Sequence, residues 1–262
     1  MEYISKKTHS GKVVKLKNYK RRAKINKLKR KLLLILLLLI ILIIILLFAP
    51  FMQIRKINCI GNNKVSAEDI IASSNIKNGD NIIRINKKKA IDGIDDISYV
   101  KNVKIERKFP STINIKIVEC QVYSYIPIND QFLYLDEDGK ILETAVTPPD
   151  ITVPVISGVN ITNSTPNTVI GFDNQLQVDS YKTLIRILSN SRFGGIVTEI
   201  NLLNTNEIMF TVNETFDVIV GDTENLDYKI NILAAEVYDS PQNTKTAELD
   251  LRFGNAILKQ KK

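Results

Sequence analysis

The side chains best placed to do chemistry are carboxylates: Asp136, Glu137 and Asp138 lie within "DEDG", and Asp95-Asp96 form a second adjacent pair. Paired carboxylates can share general acid and base roles. Here the first group sits in an Asp-Gly turn pattern and the second at a helix end, where acids are common without function. The acidic turn also lacks the ligand spacing and terminal bidentate Glu of a calcium loop. The only histidine is His9, in a stretch crowded with lysine and arginine. A histidine-based triad or a zinc site is therefore not expected in the remainder of the chain, and no Gly-rich phosphate loop is present. The sequence assigns no catalytic, metal-binding or cofactor-binding residue, and the chain is read as a non-enzyme.

The remaining reactive groups are Cys59 and Cys120. Strand parity puts Cys59 with the apolar face of "IRKINCIGN". Cys120 falls opposite the face shared by Ile113, Ile115 and Ile117. A bridge between opposite faces needs a bulge that the pattern does not announce, so two free thiols, one of them buried, are expected.

The element preceding all of these groups is the apolar run Leu32 to Phe48, which contains 17 residues and no charge. As a helix it is about 26 Å long, close to the hydrocarbon thickness of a bilayer. At roughly −0.5 kcal/mol per central Leu or Ile, insertion is favoured by about 8 kcal/mol. A cleaved signal would have a shorter apolar core and a small-x-small exit, whereas this run leaves through Ala49-Pro50-Phe51-Met52-Gln53. An uncleaved anchor is expected. Residues 1–31 hold 13 Lys/Arg against Glu2, so the whole-chain +8 divides into +12 there and −4 beyond. The positive-inside rule then keeps the N-terminus cytoplasmic and exports everything after the run. Topology and attraction to anionic headgroups account for the basic tail without nucleic acid.

The exported part is long enough for two small domains. From Gln53 the pattern reads β-α-α-β-β. Ser66 and Asp69 form a Ser-x-x-Asp capping box with Val65 and Ile70 as its hydrophobic staple, which predicts a helix to about Ser74. A second short helix carries Ala90, Ile91, Ile94 and Ile97, and Gly93 in its middle implies a short or close-packed element. Two strands follow, joined at Phe109-Pro110-Ser111. Beyond them, "QFLYLDEDGKILE" reads as a hairpin, "VPVISG" as a short strand, and Val178, Tyr181, Leu184, Ile185 and Leu188 as one face of a helix. Three strand candidates come next, with Asn213-Glu214 as a tight turn between the last two. A second helix spans Leu226 to Val237. "AELDLRF" alternates, and whatever follows Phe253 is expected to be the final, edge strand.

This order of features resembles the bacterial cell-division protein family FtsQ/DivIB. The matching pieces are "INCIGN" at Ile57 to Asn62 with the Ser66 cap, the pattern from Val100 to Glu119, and "YLDEDGKIL" at Tyr134 to Leu142. "VPVISG" at Val153 to Gly158, "VIVGD" at Val218 to Asp222 and "ELDLRF" at Glu248 to Phe253 complete the series. Departures are Cys59, where the family usually has a β-branched residue, and Glu119-Cys120-Gln121, where it often continues Glu-Arg-Pro. The resemblance implies an α+β protein: a basic cytoplasmic tail (1–31), one transmembrane helix (32–50), a POTRA domain (53–122), a β-rich domain with two helices (123–258) and a C-terminal tail (259–262). It further implies a scaffold in the cell membrane at the division septum. The implied partners are FtsL-like and DivIC/FtsB-like small bitopic proteins and, through them, the septal peptidoglycan synthase. By the same analogy, Phe253, Asn255, Ala256, Ile257 and Leu258 are the candidate partner-binding edge. A signal-anchored enzyme acting on peptidoglycan, or a POTRA protein of secretion, are the alternatives.

Overall fold

In the computed structural model the described residues are 27–45, 50–240 and 247–260. Residues 27–45 form helix α1, whose Leu32 to Ile45 side chains are all exposed. Among the described residues no helix is long and apolar enough to cross a membrane. The last part of the expected span, 46–48, lies outside the described residues, as does His9.

The chain divides into two compact units. The described residues of Met1–Asn58, Ile76–Asn86 and Glu106–Asn114 make one, and those of Cys59–Asn75, Lys87–Ile105 and Ile115–Lys262 make the other. The β-α-α-β-β order is present as β1 (Lys56–Ile60), α2 (Ala67–Ser74), α3 (Lys87–Asp95), β2 (Val100–Lys108) and β3 (Thr112–Glu119), with sheet order β1-β3-β2.

The Ser66 cap is built as its sequence requires. The hydroxyl accepts the Asp69 N–H at 3.0 Å, satisfying one of the unpaired donors of the first turn. Val65 and Ile70 are both buried. Gly93 is needed for close approach, because a Cβ there would lie 2.3 Å from the Ser73 carbonyl oxygen. Glu119 acquires a role its sequence position did not announce: its carboxylate accepts the N–H groups of Asn63, Lys64 and Val65 at 2.9 to 3.1 Å, fixing the loop before α2.

The thiols are free, but their burial is the reverse of the expectation. Cys59 is partly exposed and Cys120 is buried at 8% exposure. Parity fails because β3 ends at Glu119. Cys120 lies one residue beyond the strand and gives its N–H to the Tyr99 carbonyl at 2.8 Å.

The second unit contains a nine-stranded sheet. Its strands are β4 (Ser124–Ile128), β5 (Gln131–Leu135), β6 (Ile141–Ala145), β7 (Val155–Ser157), β10 (Val197–Asn201), β11 (Ile208–Val212), β12 (Phe216–Gly221), β13 (Ala247–Asp250) and β14 (Ile257–Gln260). They lie in the order β14-β13-β12-β11-β10-β7-β4-β5-β6. A separate pair, β8 (Ile161–Asn163) with β9 (Gly171–Phe172), lies between β7 and β10 in sequence. β4 is an addition to the sequence expectation. It pairs with β5 through Asn129-Asp130, whose φ values of 44° and 61° are those of a tight hairpin turn.

Neighbouring parallel strands cannot be joined by a tight turn; β4 and β7 are connected through β5 and β6, and the other two parallel pairs through helices. β7 and β10 are parallel, and α4 (Gln175–Ser189) lies in the segment between them. β12 and β13 are also parallel; their connection runs from α5 (Leu226–Tyr228) through a π-helical stretch, Lys229–Ala234, into α6 (Ala235–Asp239). The expected stripe Val178, Tyr181, Leu184, Ile185 and Leu188 is buried, and Leu226, Ile230 and Ala234 join the same core. Tyr181 satisfies its hydroxyl inside that core by donating to the Asp136 carbonyl at 2.7 Å, with Ser124 Oγ at 2.8 Å. Gln177 likewise donates to the carbonyls of Gly158 and Leu202.

Candidate functional site

The acidic groups are used for architecture. Asp136 is buried, and its carboxylate accepts the N–H groups of Asp138 and Lys140 at 2.9 and 2.8 Å, which closes the β5–β6 turn. Burial raises its pKa, and the two backbone donors oppose that rise. Glu137 pairs with Lys101, and Asp95 and Asp96 are exposed. Among the described residues there is no group of His, Cys, Asp and Glu able to hold a metal ion.

The candidate edge is at one end of the long sheet. β14 pairs antiparallel with β13 in the register Ala247↔Gln260, Glu248↔Lys259, Leu249↔Leu258 and Asp250↔Ile257. Among the described residues its other side carries no strand, so alternate N–H and C=O groups face outward. All four residues of β14 are exposed, with Ile257 at 43% and Leu258 at 40%. The opposite end of the sheet is not equivalent. At β6, Ile141 gives its N–H to the Thr168 carbonyl and accepts from Asn167, and Lys140 is bridged to Val169. The start of that edge is already covered.

Of the candidate residues, Ile257 and Leu258 lie on β14, while Phe253 and Asn255 belong to the turn before it and Ala256 to its last irregular residue. The strand begins later than the alternation suggested and runs on through Lys259 and Gln260. The turn is held by Asp250, which is buried on β13. Its Oδ1 accepts the Arg252 N–H and Nε at 3.1 and 3.0 Å, and its Oδ2 accepts Arg252 Nη2 at 2.7 Å. Arg252 also pairs with Glu207, and its guanidinium stands 5.4 Å from the centroid of the Phe253 ring. Phe253 is 72% exposed, a flat apolar surface beside the open strand.

The Arg252 guanidinium bonded to Asp250 holds that carboxyl below the ordinary carboxylate range, against the effect of burial. A depressed folded-state pKa means that the contribution is complete above the unfolded value of about 4 and is lost as pH falls through the folded value. At neutral pH, Asp250→Asn is expected to speed amide exchange across residues 251–258 severalfold, measured by mass spectrometry. The unsubstituted chain should approach the variant only in acid, below about pH 4.

Residues 52–119 match the family described as POTRA domain, FtsQ-type. The β-α-α-β-β segment from β1 to β3 is thus an FtsQ-type POTRA domain. Over 210 residues the chain is 27% identical to the cell division protein DivIB of Clostridium acetobutylicum, covering 79% of this chain and 83% of that protein. It is 33% identical over 119 residues to DivIB of Bacillus subtilis, covering 45% of this chain and 44% of that protein. FtsQ of Corynebacterium glutamicum is 26% identical over 117 residues, covering 45% of this chain and 52% of that protein. The chain is thus similar to proteins named DivIB and FtsQ, over most of its length for the clostridial one.

Proposed function

We propose that this chain is a bitopic membrane scaffold of the bacterial divisome, and that it recruits small bitopic partners through the open edge of its long sheet. The observation that carries the reading is β14, an exposed strand with no neighbour on its outer side among the described residues, at the end of a nine-stranded sheet. An extended partner segment adding there would gain main-chain hydrogen bonds along the strand. The exposed Ile257, Leu258 and Phe253 side chains would supply selectivity.

The rest of the chain fits that task. A helix that is apolar on every face needs an apolar surround, and Leu32 to Ile45 is exposed on every face, which supports residues 32–50 as the anchor. Residues 1–31 are the cytoplasmic tail, 53–122 the POTRA domain and 123–258 the β-rich domain. FtsL-like and DivIC/FtsB-like proteins are the partners, the septal peptidoglycan synthase is reached through them, and the protein acts at the septum without catalysis. The similarity to proteins named for cell division supports this assignment.

The test is imaging of a fluorescent fusion in dividing cells while the native protein is depleted. Septal enrichment with failed or delayed septation on depletion is expected. Uniform envelope labelling with normal septation would overturn the scaffold reading.

A further inference from the structure

Six hydrogen bonds gather separate parts of the POTRA sequence around the residues that leave the apolar run. Residues 52–56, which lead from the short 3-10 helix Pro50–Met52 into β1, are bonded on one side to the loop at 79–82: Gly79 N–H to the Ile54 carbonyl, Ile54 N–H to the Asp80 carbonyl and Ile82 N–H to the Met52 carbonyl, each at 2.8 Å. On the other side Arg55 gives its N–H to the Ser111 carbonyl at 2.8 Å, which brings the Phe109-Pro110-Ser111 turn beside it. Arg107 completes the arrangement by donating from Nη2 to the carbonyls of Ile83 and Ile85 at 3.2 and 2.9 Å. All of these residues belong to one compact unit.

This end of the domain is basic and carries two bare aromatic rings. Within 50–58, 76–86 and 106–114 the exposed charged residues are Arg55, Lys56, Lys77, Arg84 and Lys108 against Asp80 alone. The Asp80 carboxylate is already used, accepting the Lys77 N–H at 2.8 Å. Phe51 is 49% exposed and Phe109, at the tip of the β2–β3 turn, 61%. Aromatic rings flanked by cations suit a bilayer interface, where the ring enters the headgroup boundary and the cations meet lipid phosphates. Distance permits it. From Phe48 to Met52 there are four residues, at most about 14 Å of chain, and the headgroup layer beyond the hydrocarbon is itself about 5–8 Å deep.

We infer that this face of the POTRA domain docks on the outer surface of the membrane, with Phe109 entering the interface and Arg55, Lys56 and Lys108 engaging anionic phospholipid headgroups. The inference rests on the proposed anchor, which delivers the face to the bilayer. Its consequence is that the domain is held against the surface by a second, charge-dependent contact, one that lipid composition can strengthen or release. Each near-surface base contributes about a fivefold gain in association with an anionic surface.

The chain contains no tryptophan, so Phe109→Trp creates a single reporter at an exposed position. The full chain carrying it is reconstituted in phosphatidylcholine vesicles with and without phosphatidylglycerol, using lipids brominated on their chains. In anionic vesicles the emission should shift to the blue and be quenched by bromine. Lys56→Glu combined with Lys108→Glu, or high salt, should reverse both effects at least tenfold. Amide exchange at 107–111 in the unsubstituted chain should slow in the anionic vesicles only. If the protein resists alkaline extraction yet the reporter stays water-exposed in both lipids, the docking inference falls while the anchor stands. Release by alkaline extraction would overturn the anchor and the docking with it.

Discussion

Replacing Phe193 by alanine is expected to lower the unfolding free energy of the long-sheet unit by about 3–5 kcal/mol, among the largest effects of any single truncation. Phe193 is fully buried. Its ring meets Phe210 edge-on at 5.6 Å and Tyr238 edge-on at 5.6 Å, and Tyr238 in turn meets Phe216 at 5.3 Å. These rings join the connection after α4 to strand β11 and helix α6 and, through Tyr238, to β12, so truncation removes transfer energy and leaves a cavity beside Phe210 and Tyr238. Edge-on pairs add about 0.5–1.5 kcal/mol beyond the area they bury. For a unit whose total stability is about 5–15 kcal/mol, the loss is a large fraction. Urea titration of the detergent-solubilised chain, followed by far-UV circular dichroism, reads it as a lowered midpoint. Leu203→Ala, at an exposed position, should move the midpoint little. Equal shifts for the two variants would contradict the account of the core.

Much of this fold could be read locally. The capping box at Ser66, the hairpin at Asp136 to Gly139, the Asn213-Glu214 turn with φ of 48° and 62°, and the stripe on α4 each depend on residues within a few positions of one another. Gly93 also announced its purpose, since a glycine inside a helical pattern implies close approach. What the pattern could not supply is pairing between distant strands. Nothing in the period of β10 says that its neighbour is β7, or that β13 lies beside β12 with a helical connection between them. Which strand is left open at the end of the sheet follows only from that order. Phe193 was missed for a related reason. It lies in an irregular connection, where periodicity carries no information.

The cysteines show the limit of parity. The two-residue period places side chains correctly while a strand lasts, but β3 stops at Glu119, and Cys120 is buried by the chain turning toward Tyr99. The candidate edge has the same character. The alternation of "AELDLRF" ran through Phe253 on paper, but Asp250 captures Arg252 and turns the chain there, so the open strand starts four residues later. That turn leaves the Phe253 ring beside an open strand, an arrangement visible only once Asp250 is known to be buried.

The second large effect concerns that strand. Ile257 stands opposite Asp250 in the β13–β14 register. A lysine at 257 would therefore form a favourable cross-strand pair and keep β14 in place, while it puts a charge where an added strand must bury an apolar side chain. Removing a central anchor from an interface typically costs about 2 kcal/mol or more, which is about a 30-fold loss of affinity. The deciding measurement is titration of the full-length chain and its Ile257→Lys variant, both in detergent, with purified FtsL-like and DivIC/FtsB-like partners. The account predicts about a 30-fold weaker complex for the variant with an unchanged urea midpoint, and an unchanged affinity would contradict the placement of partner binding on β14.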